Sequence, residues 1–449
     1  MSCFPSSVMA EDIQGALRDA LAGHPSVQAA QADYGQARQD TKMALSEFYP
    51  QLSVSTAAGR VFQDNSTSRG LVTDRGSAYS AYGEANIALR QKLFDGLKTW
   101  HHANAAKARM NAKEVSVADA QETLALKAAS AYIDVLRTRA ALILLKKQKE
   151  VIDKYEKRIV EMAKDGAADE TEVQQAHDVS MIMDGEIADY EGQGVSANAV
   201  YMEIVGHMPP EDMVLPDTMN DLIPEQVGDA VKMAIKEHPA LKAACLNIDA
   251  AREDLSAEKA AYVPEISGEL SETKIDKKDV IGGESEDRRA VLRMNWGFST
   301  GGKQEAAIKQ KQYRMAQNRA QYDELRREVQ RDVMTSYARM QTFREKLEIS
   351  DDRVSLNEKL LDAYNAQFEG ARIRLLGLMR AESQLFNARL ERLDNLYNLL
   401  GAQYAVLAAT GKLTRTVLSE SKTAQAQVSP EVTPEPKPEA QGEGASHQR

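Results

Sequence analysis

Few residues in this chain are spaced for chemistry, and each such group lacks something the chemistry needs. Gly297-Phe298-Ser299-Thr300-Gly301 fits the G-x-S-x-G pattern, in which a sharp strand-to-helix turn presents a serine nucleophile. That serine needs a histidine, normally later in the chain, and the only later one is His447 in a Pro- and Glu-rich stretch. No alternation of strands and helices supplies a hydrolase sheet, so the glycines read as turn residues. His101 and His102 are adjacent, and neighbours on a helix diverge by about 100°, which keeps them from sharing an ion. Asp169, Glu170 and Glu172 cluster at a predicted turn and read as a solvated or docking surface rather than a general-acid pair. The sequence has no P-loop, dinucleotide fingerprint or zincin motif. No catalytic residue, cofactor or metal ligand is expected.

Composition points to architecture instead. The 449 residues carry 56 Lys and Arg against 67 Asp and Glu, a net charge of −11, which argues against a nucleic-acid partner because phosphate binding needs a basic surface. Aromatics are only 6% and prolines 13, and the residues that dominate favour long helices over a compact globule. Cys3 and Cys245 are too few for a disulfide framework or a zinc cage. No run of about 18 apolar residues encodes a spanning helix, which leaves a spanning β-barrel open.

At the start, Val8 and Ala10 have the −3/−1 spacing of a signal-peptidase site before Glu11, so residues 1–10 read as the remnant of an export signal, the alternative being a short frayed terminus. Residues 414–449 are expected to form a disordered tail rich in Pro and Glu.

Between the ends lies a duplication. His24-Pro25 returns as His238-Pro239, 214 residues on, as do Ala37-Arg38 at Ala251-Arg252 and Pro50 at Pro264. Further along the offset is 205: Lys98 and Lys303, Arg109-Met110 and Arg314-Met315, Tyr132 and Tyr337, Ala176 and Ala381, Gly206 and Gly411. The second copy has therefore lost nine residues between Pro264 and Phe298. The first repeat is placed at 11–206 and the second at 226–413, with a linker at 207–225.

Each copy reads helix, two strands, long helix, tight turn, helix. The first helix, about Asp12–Phe48 and again about Gln226–Val263, is interrupted at its His-Pro step, where proline forfeits a backbone donor. Strands follow at about 51–60 and 78–92, then about 265–273 and 288–298. In Tyr79–Leu89 the residues Tyr79, Ala81, Ala85, Ile87 and Leu89 alternate with Ser80, Glu84 and Asn86; Leu292, Met294, Trp296 and Phe298 do so with Arg289, Arg293 and Asn295. One apolar face, one polar face and about ten residues per strand is the pattern of a membrane barrel, and equally of a half-buried soluble hairpin.

Helical hairpins are then expected at 97–206 and 302–411. In the first, Leu124, Ala128, Ala131, Val135, Thr138, Leu142 and Leu145 step by four and three, and Ile152 and Ile159 continue the stripe, a coiled-coil spacing built with small residues. A helix of this length spans on the order of 100 Å, which two shorter helices stacked end to end would match. Four strands cannot close on themselves, and no open edge survives in lipid, so strands that span a membrane must be shared among several chains. Three chains would give twelve strands, enough for a lumen, and would carry the helices into a second tube.

At this point the residues resemble a known family, the TolC-like outer-membrane channels, over about Glu11–Leu413. The resemblance is carried by Ala16-Leu17 with His24-Pro25, Phe48-Tyr49-Pro50, Leu93-Phe94-Asp95-Gly96, Thr171-Glu172-Val173-Gln174-Gln175-Ala176 and Ala408-Ala409-Thr410-Gly411-Lys412-Leu413. It implies a mainly α chain with a small β part, forming a trimeric α-barrel above which sits a 12-stranded β-barrel in the outer membrane of a Gram-negative bacterium. It also implies a passive duct working with a periplasmic adaptor and an inner-membrane ABC transporter or other pump. Arg380-Ala-Glu-Ser-Gln-Leu-Phe-Asn-Ala388 resembles the members that export large proteins, which favours type I secretion over multidrug efflux. A periplasmic or cytoplasmic coiled-coil scaffold is the reading from another class; it leaves the paired strands unexplained.

In such channels the helical tips close the pore and meet the adaptor. The resemblance places the docking tips at Asp165, Gly166, Ala167, Gly370 and Ala371, and the constriction or gate at Glu172, Phe368, Arg374, Gly377 and Arg380. Gly377 and Arg380 fall where the best-known member carries aspartates, and Phe368 falls where it carries a tyrosine. Three copies of Arg380 or Arg374 would make the constriction basic, unless these arginines only cap helices or face solvent.

Overall fold

The computed structural model describes residues 11–63, 78–277, 284–297, 300–369 and 373–416. Its elements run α1 (Ile13–Gly23), α2 (Pro25–Ser46), β1 (Gln51–Gln63), β2 (Ala78–Phe94), α3 (Lys98–Lys164) and α4 (Glu170–Val205). They continue as α5 (Val227–Glu237), α6 (Pro239–Lys259), β3 (Glu265–Lys277), β4 (Glu284–Asn295), α7 (Lys303–Glu369) and α8 (Leu375–Ala409). Phe298 and Ser299, the expected export remnant and residues 417–449 lie outside the described residues.

Local chemistry explains the boundaries. Asp12 caps α1, its carboxylate accepting from the Gly15 N–H at 2.7 Å. Each His-Pro step ends one helix and starts the next: the Nδ1 of His24 accepts from Ser26 N–H, and that of His238 from Ala240 N–H, while proline occupies the first turn. β1 and β3 begin 214 residues apart (51 and 265), whereas α3 and α7 begin 205 apart (98 and 303), so the nine-residue deficit falls in the second strand pair. The duplication is visible in hydrogen bonds as well. Tyr132 donates to the Glu11 carbonyl at 2.8 Å, and its counterpart Tyr337 donates to the Glu225 carbonyl, Glu225 being the counterpart of Glu11.

Several boundaries depart from expectation, β1 running on to Gln63 and β2 to Phe94 among them. The second strand pair extends to Lys277 and starts again at Glu284, through residues expected to be loop, because opposite charges pair across it: Lys274 with Glu284 at 3.2 Å and Arg288 with Glu272 at 3.2 Å. β4 ends at Asn295, before Phe298. Residues 414–416, expected in the tail, are helical. The buried Glu122 of α3 holds that turn, accepting from the Leu413 N–H at 2.9 Å and the Thr414 N–H at 3.1 Å.

The four strands form one antiparallel sheet in the order β1-β2-β3-β4, with a bulge between Lys92 and Phe94. Register puts Leu52, Val54, Ile87, Leu89, Leu270, Leu292 and Met294 on one face. The other face carries Arg90 paired with Glu265 at 3.1 Å and Arg293 paired with Glu269 at 3.3 Å. The helices make a layer with α3 at its centre. Near the strands the contact order is α2, α3, α6, α7; towards the hairpin tips it is α4, α3, α8, α7. The expected stripe of α3 is buried from Leu124 to Ile159, Leu142 alone being half-buried. It feeds two cores, one around Tyr132, Tyr201 and Leu407, the other around Ile152, Phe386 and Leu375.

Candidate functional site: open edges and hairpin tips

The chain leaves its flanks unfinished, and the flanks of sheet and helices coincide. α2 runs into β1 and β4 runs into α7, so one side of the molecule is α4, α2 and β1, and the other is β4 and α7. β1 and β4 pair on one side only among the described residues, which leaves two rows of backbone donors and acceptors open. The apolar face of the sheet is bare: Leu292 is 72% exposed and Leu52 67%. In the part nearer the helices the sheet is one layer thick, apolar on one face and charged on the other, while further out Glu272, Lys274 and Arg288 put charges on the apolar face too. Such a band suits a wall between lipid and water. No helix of the described residues is long and apolar enough to cross a membrane.

The helical flank carries a feature that sequence reading passed over. On α4, Met181, Gly185, Ala188, Gly192, Val195, Ala199 and Met202 step alternately by four and three, and all seven are exposed. Val195 is 71% exposed, and a Cβ added at Gly185 or Gly192 would meet nothing within 4 Å. This is a coiled-coil seam without its partner helix. On the opposite flank α7 exposes Ile349, Leu356, Leu360 and Tyr364. The same four-three test that found the stripe of α3 would have found the α4 seam.

At the far end of the helices the two tips differ. The first is self-contained: Gly166 takes φ +73, a left-handed conformation that suits glycine, and Ala167 N–H donates to the Met162 carbonyl at 2.7 Å. Asp165 ends α3 there, and the Asp169 carboxylate accepts from Glu172 N–H at 2.8 Å while Glu172 reaches back to the Asp169 N–H, closing a capping box. Of the second tip, Gly370 and Ala371 lie outside the described residues. Its capping residue is Arg374, 205 residues after Asp169, and Gly377 stands 205 after Glu172, so neither member of the box is repeated.

The two positions meet instead. Arg374 Nη1 lies 2.8 Å from Glu172 Oε1 and 3.5 Å from Asp169 Oδ2, joining the start of α8 to the start of α4. The hydrogen bond to Glu172 pushes the guanidinium of Arg374 further above its ordinary value. Phe368 is half-buried beneath the guanidinium of Arg158, 4.9 Å from its ring centroid. Arg380 is exposed and has no ion pair among the described residues. The structure thus brings Glu172 and Arg374 together with Asp169, which was read only as part of the acidic cluster. Arg158 was missed, and nothing in its spacing marks it.

Comparison with known proteins bears on the whole chain. The family model described as outer membrane efflux protein matches residues 16–207 and 230–412. The outer membrane efflux protein BepC of Brucella suis is 22% identical over 411 residues, covering 91% of this chain and 87% of that protein. The outer membrane protein TolC of Escherichia coli is 24% identical over 429 residues, 92% and 85% respectively. In structure, the CmeC outer membrane channel of Campylobacter jejuni superposes with a TM-score of 0.78 at 13% identity, covering 92% of this chain and 90% of that one.

Proposed function

The chain belongs to the outer membrane efflux protein family, and from that premise we propose that three copies of it form the exit duct of a tripartite export machine. As a member of that family it is a channel component of the outer membrane that reaches into the periplasm, and it is not an enzyme. The observation that carries the proposal is the coincidence of the open flanks. A neighbour related by rotation would add its β1 to β4 and its α4 seam to α7 in one movement, closing sheet and helices together. Three copies give twelve strands and a helical tube whose tips meet a periplasmic adaptor and, beyond it, an inner-membrane ABC transporter or other pump in a Gram-negative envelope.

The cargo reading shifts. The family description and the name of BepC speak of efflux, and this favours small-molecule or multidrug efflux. Type I secretion of proteins is the second reading, supported by the segment Arg380–Ala388. Loss of the chain would sensitise cells to lipophilic drugs under the first, and retain a large exported protein under the second. At the tip, Asp165, Gly166, Ala167, Gly370 and Ala371 form the docking ends, and Glu172, Phe368, Arg374, Gly377 and Arg380 the closing ring. Arg374 spends its charge on Glu172 and Asp169, which leaves Arg380 as the basic group of the constriction.

Single-channel recording in planar bilayers tests the duct. The purified protein should give discrete conductance steps, and Arg380→Asp should move ion selectivity towards cations. Absence of any conductance at protein levels that insert into the bilayer contradicts the proposal. Unchanged selectivity removes Arg380 from the constriction.

A further inference from the structure

Where the base of the first hairpin meets the first helix, three side chains from two distant parts of the chain turn polar atoms towards one point. His207 follows Gly206, which ends α4 in a left-handed conformation; Glu11 precedes α1; Asp19 lies within α1. His207 Nε2 is 3.7 Å from Glu11 Oε1 and 3.5 Å from Asp19 Oδ2, and the three atoms lie within 4.8 Å of one another. The other ring nitrogen, Nδ1, is 3.0 Å from the Met208 carbonyl, which can only accept. Nδ1 therefore carries a proton, and Nε2 faces two carboxylates. Their charge calls for a positive centre at that nitrogen, which a second ring proton or a metal cation on its lone pair supplies.

The surroundings hold this arrangement in place. Glu11 N–H donates to the Asp212 carbonyl and Val214 N–H to the Glu11 carbonyl, both at 3.1 Å, and Tyr132 donates to that same carbonyl. Tyr201 is fully buried, and its ring stands edge-on to His207 with centroids 5.8 Å apart. Its hydroxyl is sealed from solvent beside the Glu11 carboxylate, with which it interacts, so the glutamate is held from behind. The second repeat keeps the glutamate and its bond from tyrosine but not the other two groups. The counterparts of Glu11, Asp19 and His207 are Glu225, Met233 and Lys412, and Lys412 brings its own charge, 3.6 Å from Glu237.

We propose that Glu11, Asp19 and His207 bind one divalent transition-metal ion of the zinc class, clamping α1 to the base of the first hairpin. One imidazole nitrogen and two carboxylate oxygens are a donor set for zinc, and a nitrogen ligand disfavours calcium and magnesium. Separations of 3.5 and 3.7 Å are close to the ~3.4 Å between neighbouring ligands of a tetrahedral ion with bonds of about 2.0–2.1 Å. The hydrogen bond from Nδ1 to a carbonyl is the outer-shell contact that orients a metal-bound imidazole. The histidine lies 188 residues beyond Asp19, which is why no spacing motif announced the set.

The test uses the full chain in detergent, stripped with a chelator, dialysed and titrated with zinc alone by calorimetry, with bound metal counted by mass spectrometry. The parent should take up about one zinc per chain. Asp19→Asn should weaken binding about tenfold or more, His207→Gln should abolish it, and Lys412→Ala should leave it unchanged. Cobalt in place of zinc should give visible absorption in the parent and none in His207→Gln. Sizing of each variant confirms that it remains assembled. A parent that binds no zinc at micromolar concentration, or a His207→Gln protein that binds it as the parent does, overturns the proposal and leaves His207 as a protonated partner of the two carboxylates.

Discussion

α3 and α7 are counterparts in the duplication, each 67 residues long, and they live in different surroundings. α3 buries nineteen residues along its length and touches α2, α6, α4 and α8; α7 buries five, namely Val329, Val333, Tyr337, Met340 and Ser350. α3 is held by apolar packing on both sides. α7 is tied to α8 by surface ion pairs, Arg353 with Glu391, Arg389 with Glu358 and Arg392 with Asp351, each worth little in water. An isolated helix of such length buries an apolar face or frays, and α7 leaves its own uncovered within one chain. The asymmetry between twin helices is what an incomplete wall looks like from inside one of its segments.

The comparison breaks most severely where α3 is already full. Ala128 is fully buried, so Ala128→Asp should cost about 3 kcal/mol or more and prevent folding, seen as loss of the cooperative thermal transition. On α7 the same kind of change should act elsewhere. Leu356 is exposed within the chain, and Leu356→Glu should forfeit about 1.5–3 kcal/mol per interface, separating subunits while helical circular dichroism persists. If Leu356→Glu instead unfolds the chain without dissociating it, α7 is not an edge.

Smaller effects sharpen the contrast at the far ends of the two hairpins. Asp169→Ala removes a cap and a partner of Arg374, and should cost about 1 kcal/mol, read as faster amide exchange at the start of α4. Arg374→Gln removes no side-chain cap but loses the pairs with Glu172 and Asp169, so faster exchange should appear at the starts of both α8 and α4, by less than for Asp169→Ala. The smallest change concerns Glu382 on α8. Burial holds its carboxyl above the ordinary value, with Arg389 opposing, so the folded chain keeps this proton to higher pH than the unfolded one. Its contribution is therefore full below the unfolded carboxyl value and is lost as pH rises through the folded one. Glu382→Gln should match the parent near pH 4 and melt higher at pH 8, by under about 1 kcal/mol.

Sequence reading reached the helices because their signals are local. His-Pro steps, Pro50 and Pro264, the Asp165-Gly166 turn and the four-three stripe of α3 each act within a few residues. It reached the strand faces for the same reason, and stopped β3 short because Lys274 and Glu284 stabilise each other only once paired. The tip was legible in part. Arg374 was marked as basic, but its bond to Glu172 joins residues 202 apart, and only the 205-residue offset linking Arg374 with Asp169 pointed there. The cluster of Glu11, Asp19 and His207 had no such signal, since the second copy does not repeat it.

Native mass spectrometry of the detergent-extracted protein tests the central claim most directly, because a segment of a shared wall exists only with its neighbours. The account predicts a complex of three 49.5 kDa chains, with cysteines placed at Val195 and Leu356 cross-linking between subunits. A folded single chain, stable in buffer without detergent and showing no such cross-link, would contradict it.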